Sequence, residues 1–241
     1  MTTAQILAVA GAVFFAAFVQ AIAGFGFGLM SMPLMTLAIE PSLAVVVSTL
    51  VSVCITTWQS WAMRADAVRP VLKRMTIAAY VGMPLGLVVL TTVGDTALRL
   101  TLGVAVLIAV VLLAANVSFN PGPRTDLAAG FVSGLLNTSL STNGPPLVFA
   151  LQARRMEAHH FRATISGVFA LSNVFALTLF VASGKVTRDG LVAAAFTAPS
   201  LLAGQALGFP LRKHVHGQRF RGLVLVLLTL AGASAVVGAL R

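Results

Sequence analysis

VQAIAGFGFGLMSMP, residues 19–33, and VSGLLNTSLSTNGPP, residues 132–146, decide how this chain is read. Both lie inside long uncharged runs, where glycine and proline are unwelcome unless the backbone is meant to break. The second follows the first by 113 positions. Interrupted hydrophobic segments at corresponding places in two halves of a chain point to the binding site of a transporter.

The rest of the chain supplies the setting. Hydrophobic residues make up 58% of it and charged residues 9%, against roughly 25% charged in an average soluble domain. The charges cluster and leave uncharged runs at 1–39, 41–63, 75–94, 100–123, 127–153, 163–184, 190–211 and 222–240. Each meets the roughly 20-residue length of a membrane-crossing helix. The fold class expected is all-α: a multi-pass helical membrane protein. Ala21-Ile22-Ala23 imitates a signal-peptidase site, but no Lys or Arg precedes the apolar run, so this segment reads as the first membrane helix.

The halves match beyond the breaks. Gly82 and Gly86 align with Gly204 and Gly208, and Arg99 with Arg221, at an offset of 122. Passing from 113 to 122 requires about nine inserted residues in the second half. The expected organisation is one repeat over 1–120 and another over 121–241. Each has a broken or hairpin pair (a, b) followed by three spans (c, d, e). Spans c, d and e are about 43–63, 75–93 and 97–115; c′, d′ and e′ are about 161–183, 191–210 and 220–240.

Residues 127–153 would make one helix of about 40 Å, too long for one crossing and too short for two. A re-entrant pair broken near Asn143-Gly144-Pro145-Pro146 fits. If each pair returns to its starting side, each repeat crosses an odd number of times and the repeats are inverted. That arrangement puts twelve of the sixteen Lys and Arg residues in the inner loops, in accord with the positive-inside rule. Its least supported loop is e–a′, where Arg124 stands near Asp126. The formal charge of +10 therefore does not call for a nucleic acid partner.

The polar groups at depth are neutral. No Asp, Glu, Lys, Arg or His lies in the central part of any span, so a built-in proton relay is disfavoured. A helix restarting after a break offers unpaired N–H groups and the positive end of its dipole, which bind anions without a cation. The candidate substrate-binding residues are Gly24, Gly26, Gly28, Ser31 and Pro33 in the first break, and Asn137, Ser141, Thr142, Asn143, Gly144 and Pro145 in the second. Gly24, Gly26, Gly28, Asn143 and Gly144 are expected to supply backbone or amide donors. Pro33, Pro145 and Pro146 are expected to fix the broken helices. Two such ends meeting near the midplane would form a pocket for an oxyanion.

Other features read as structure. The GxxxG pairs at 82/86, 130/134 and 204/208 suit close helix packing. GFGFG has no strand before it and is no dinucleotide loop. His159, His160, His214 and His216 read as solvated loop residues, Cys54 as a packed thiol, and Trp58 and Trp61 as interfacial anchors. Ser48, Thr49, Thr56 and Gln59 could face a path along c.

GFGFG with Pro33, and GFVSG at 130–134 followed by Asn143-Gly-Pro-Pro146, resemble the TauE/SafE family of sulfite-exporter-like permeases over essentially the whole chain. The resemblance implies a plasma (inner) membrane permease of about eight spans, with sulfite, sulfonates or other small organic anions as substrates. This chain carries Asn137-Thr-Ser-Leu-Ser-Thr142 where family members commonly carry glycines, which reshapes the pocket.

The function expected is a secondary transporter or facilitator for a small sulfur-containing or carboxylate anion, by alternating access. A passive anion channel and a non-transporting scaffold or assembly protein are the alternatives. An enzyme is not expected, because no nucleophile and base lie at depth. No cofactor or metal is expected. The partners are a small anion and the lipid bilayer, with self-association into a homo-oligomer left open.

Overall fold

A computed structural model describes residues 1–114 and 120–211, with 226, 229, 232, 233, 236 and 237 beyond them. Most of span e′ and the loop carrying Arg212, Lys213, His214, His216, Arg219 and Arg221 therefore lie outside the described residues, as does Arg241. Among the described residues the chain forms helices α1 (Thr3–Ala23), α2 (Phe27–Met35), α3 (Pro41–Ala62), α4 (Arg69–Thr92), α5 (Asp95–Ala114), α6 (Pro123–Leu140), α7 (Gly144–Ala153), α8 (Ala158–Ala182) and α9 (Arg188–Leu211). Five of them (α1, α3, α4, α8 and α9) are long and apolar enough to cross a membrane. The chain is a polytopic helical membrane protein.

The side-chain pattern is the one expected when lipid, not water, surrounds the molecule. On α4 the exposed residues Ile77, Val81, Leu85 and Val88 are large and apolar, while Met75, Ala79, Gly82, Met83 and Gly86 face inward. On α9 the inward series is Ala193, Thr197, Leu201, Gly204 and Gly208, and Phe196, Leu202, Leu207 and Phe209 face out. With no hydrophobic drive between helices in lipid, small residues bring backbones close and dispersion holds them.

Two parallel helix pairs carry this packing, and they repeat one another. A Cβ on Gly204 of α9 would run into the Phe14 carbonyl of α1 and sit 3.0 Å from the Phe18 nitrogen. A Cβ on Gly82 of α4 would run into the Phe131 carbonyl of α6 and sit 3.0 Å from the Leu135 nitrogen. Gly208 meets Phe18 and Ala21 as Gly86 meets Leu135 and Thr138. Phe14 thus corresponds to Phe131 and Phe18 to Leu135, an offset of 117. The helix starts agree: α2 to α7 and α3 to α8 are both shifted by 117.

The structural register of the repeats is therefore 117 rather than the 113 that the proline alignment suggests. About five inserted residues, not nine, separate it from the 122 of Gly82 and Gly204. The prolines misalign because they do different work. Pro145 and Pro146 stand in the first turn of α7, whereas Pro33 lies well inside α2.

Helices α3 and α8, which hold corresponding places, run in opposite directions. Asn173 of α8 donates to Ser52 and Thr56 of α3, and a Cβ on Gly167 of α8 would lie 3.8 Å from Ser60 Oγ. Residue numbers rise along α3 as they fall along α8, so these corresponding helices are antiparallel.

The described residues divide into two compact units, each drawing on both repeats. The first comprises 1–48, 93–116 and 187–241, and in it α1 and α2 pack with α9 and α5. The second comprises 49–92 and 117–186, and in it α6 and α7 pack with α4 and α8. In both, the broken pair of one repeat packs on the d helix of the other.

Candidate functional site

In the first unit, α1 stops because Gly24 turns left-handed (φ 83°), with its N–H bonded to the Gln20 carbonyl at 2.7 Å. Gly26 is left-handed too (φ 94°) and is the N-cap of α2. Both positions demand glycine. No side chain caps α2, and its first return bond is Met30 N–H to Gly26 O at 3.1 Å. Helix geometry leaves the N–H groups of Phe27, Gly28 and Leu29 without internal acceptors. A Cβ on Gly26 would meet nothing within 4 Å, so there is open space beside this bare terminus. Further along α2, Ser31 is fully buried with its Oγ 3.4 Å from Ser48 Oγ, and Pro33 is buried.

In the second unit, α6 stops at Ser141, which is left-handed (φ 52°) without being glycine. Its N–H reaches Asn137 O at 3.0 Å, an αL closure, and the Thr142 N–H reaches Leu136 O at 3.3 Å. A side chain in this conformation costs roughly 1–2 kcal/mol, and such costs are concentrated at functional sites. Asn143 is the N-cap of α7 and makes no side-chain cap bond. Its backbone carbonyl instead accepts from Ser133 Oγ at 2.9 Å.

Here the donors differ from those of the first break. Pro145 and Pro146 remove two of the N–H groups that α7 would present. Side chains replace them. Asn137 Nδ2, Thr142 Oγ1 and Asn143 Nδ2 are buried atoms with no hydrogen-bond partner among the described residues. Asn137 is 1% and Thr142 2% exposed. Leaving a buried donor unsatisfied costs about 1–3 kcal/mol. Two carboxamides and a hydroxyl are thus in that state within seven residues of one helix break.

Each broken pair is closed at its base. Gln5 of α1 donates to Ala38 O beyond α2 at 3.0 Å, and Arg99 donates to the carbonyls of Thr36 and Ile39. At the second pair, Asp126 in the first turn of α6 is fully buried. It accepts from Arg154 just past α7 (2.9 and 2.8 Å) and from Arg74 of α4 (2.8 Å). Since α7 is ten residues long, the second break lies about 15 Å from this base. That is half of a roughly 30 Å hydrocarbon core. The same ion cluster joins loops c–d, e–a′ and b′–c′ at one end of the unit, so the Arg124 loop accompanies the two strongly basic ones.

Of the eleven expected site residues, Gly24, Gly26 and Gly28 stand at the first break and all six of the second half at or within a turn of the second; Ser31 and Pro33 lie further along α2, so Pro33 does not stand at the break it was expected to fix. Asp126, whose two partners come from loops distant in sequence, was not among them. Gln20, a neutral polar group expected near the first break, was not among them either; the 117 register aligns it with Asn137. Cys54 is exposed rather than packed, since its face of α3 points outward. Trp58 and Trp61 are also exposed, with the Arg64 guanidinium 4.8 Å over the Trp61 ring. His159 stacks on His160 at 4.0 Å, and His160 Nδ1 lies 2.7 Å from Asp66 O.

The sequence matches the family described as Sulfite exporter TauE/SafE over residues 9–235. It is 29% identical over 115 residues to a protein of Comamonas testosteroni described as a probable inner membrane transporter protein, TsaS. The match covers 47% of this chain and 48% of that relative, so the chain spans about half the length of the curated relative it matches. No solved structure matches.

Proposed function

Because the chain belongs to the sulfite exporter TauE/SafE family, we propose that it is an inner-membrane permease for a small oxyanion of the sulfite, sulfonate or carboxylate kind. The observation that carries this reading is the set of unpartnered donors at the second break, Asn137 Nδ2, Thr142 Oγ1 and Asn143 Nδ2. An oxyanion has acceptors on every side and satisfies all three. The bare N-terminus of α2 offers the same chemistry from backbone N–H groups. Neutral donors also suit transport, because a site must bind well enough to admit an ion and weakly enough to release it. Alternating exposure of the broken-helix donors to the two sides is the proposed mode.

The test is sulfite uptake into proteoliposomes by wild type and Asn143→Ala, with sulfate, a sulfonate and acetate as competitors. Saturable, competable flux that collapses in a folded variant supports the permease. Flux rising linearly with concentration supports a channel, and no flux for any anion, with or without a pH gradient, removes the reading.

A further inference from the structure

Under the 117 register, Gln20 and Asn137 occupy one position in the two repeats. Each carbonyl accepts the N–H of the left-handed residue that ends its helix, Gly24 in one case and Ser141 in the other. Each side chain is a carboxamide, 2% and 1% exposed. A buried carboxamide one turn before a helix break is an expensive choice in lipid unless its polar ends are used.

The neighbours of the two amides differ. Gln205 of α9 donates its Nε2 to Ala17 O at 3.2 Å and to Gln20 Oε1 at 3.3 Å. The Ala17 carbonyl can only accept, which fixes the Gln205 amide nitrogen toward α1. The Gln20 atom facing that nitrogen must then be its oxygen. Gln20 is thereby held with its NH2 group turned away from Gln205. The hydrogen bond described for the Gln20 side chain uses its oxygen alone. At the corresponding place on α4 stands Met83, whose side chain cannot bond an amide, and Asn137 Nδ2 is buried without a hydrogen-bond partner.

We infer that Gln20 is an anion-contacting residue of the first break, donating from its NH2 group to an oxygen of the transported oxyanion. Gln205 is its positioning residue, fixing which end of the amide is presented. This rests on the permease reading. The first break then holds a side-chain donor in addition to its bare backbone, as the second break does.

The experiment compares initial flux in proteoliposomes for wild type, Gln20→Met, Gln205→Met and the double variant. Wild type is first run with sulfite, sulfate, methanesulfonate and acetate, and the best-carried anion becomes the probe. Gln20→Met is expected to raise KM about tenfold with Vmax little changed, the equivalent of one lost hydrogen bond to a charged group. Gln205→Met is expected to raise KM about threefold, because a freed amide still presents its NH2 part of the time. The double variant should match Gln20→Met alone, since Gln205 acts only through Gln20.

An unchanged KM in folded Gln20→Met overturns the inference and leaves the permease standing. Additive losses in the double variant overturn the positioning role, because a purely structural Gln205 acts independently. If Gln20→Met does not fold, Gln20→Asn takes its place; it withdraws the amide by one methylene and carries the same expectation. Wild type carrying none of the four anions overturns the permease reading and this inference together.

Discussion

Asn173 Nδ2 donates to Thr56 Oγ1 at 3.3 Å, and the two residues hold the same place in the two repeats, 117 positions apart. Asn173, Thr56 and Ser52 are all buried, so this contact is a polar tie inside an apolar body. Asn173→Leu leaves two hydroxyls that can still bond their own helix, as Thr56 does with Ser52 O at 2.7 Å. The expected loss is about 1 kcal/mol, read as a small drop in the detergent melting temperature with flux retained.

The unpartnered donors of the second break make a prediction of opposite sign for stability and transport. Thr142→Val removes an unsatisfied hydroxyl at constant shape, so the protein without substrate should gain up to about 1 kcal/mol. Anion flux should fall at the same time. Melting curves with and without sulfite separate the two effects; a variant that loses both stability and flux contradicts the vacant-donor account.

Gly134 tests the close approach of α4 and α6. A Cβ there would run into Ala79 O, a backbone atom that cannot swing aside. Gly134→Ala should cost at least about 2 kcal/mol and lower the yield of monodisperse protein on size exclusion. Gly94→Ala, where a Cβ meets nothing within 4 Å, should leave the elution profile unchanged.

Asp126 is shared by two guanidiniums, so losing it should cost more than losing either partner. Removing one member of a buried pair costs roughly 3–5 kcal/mol. Arg74 and Arg154 are 33% and 19% exposed and can turn partly to water. About 2 kcal/mol is therefore expected for Asp126→Asn, and less for Arg74→Gln, both read by thermal melting. Because the carboxylate is fully buried, added salt should change neither difference much.

Cysteine labelling tests the orientation. Arg155 and Lys185 lie beyond opposite ends of α8, a helix of about 37 Å. In a Cys54→Ser background, Arg155→Cys should react with a membrane-impermeant maleimide from the inner side alone and Lys185→Cys from the outer side alone. Native Cys54, exposed on a membrane-crossing helix, should react with a lipid-soluble maleimide and resist a charged one.

Much of this was legible in the residues. Gly24, Gly26 and the Ser141–Pro146 stretch marked both breaks, because glycine, αL-tolerant turns and tandem proline have few uses in an apolar run. The GxxxG pairs announced close packing. Which helices they join was not legible, since repetition shows that Gly82 resembles Gly204 without showing that one meets α6 and the other α1. Pro33 and Pro146 look alike as letters and stand at different depths in their helices. Aligning on them moved the register by four and hid the match of Gln20 with Asn137. Asp126 was read only as a loop neighbour of Arg124, because its two partners, Arg74 and Arg154, arrive from loops on either side of it in the sequence.

The pairing of α1 with α9 sets a timetable for biosynthesis. Phe14 leaves the ribosome 190 residues before Gly204. At about 5–20 residues per second, α1 is in the membrane for some 10–40 seconds before the helix that covers it exists. In contrast, Gly82 and Phe131 are separated by 49 residues and can dock within seconds. The unit containing α4 and α6 is therefore the first that can assemble. Throughout that interval the surface of α1 formed by Phe14, Ala17, Phe18 and Ala21 is open to lipid, insertion factors or another nascent chain.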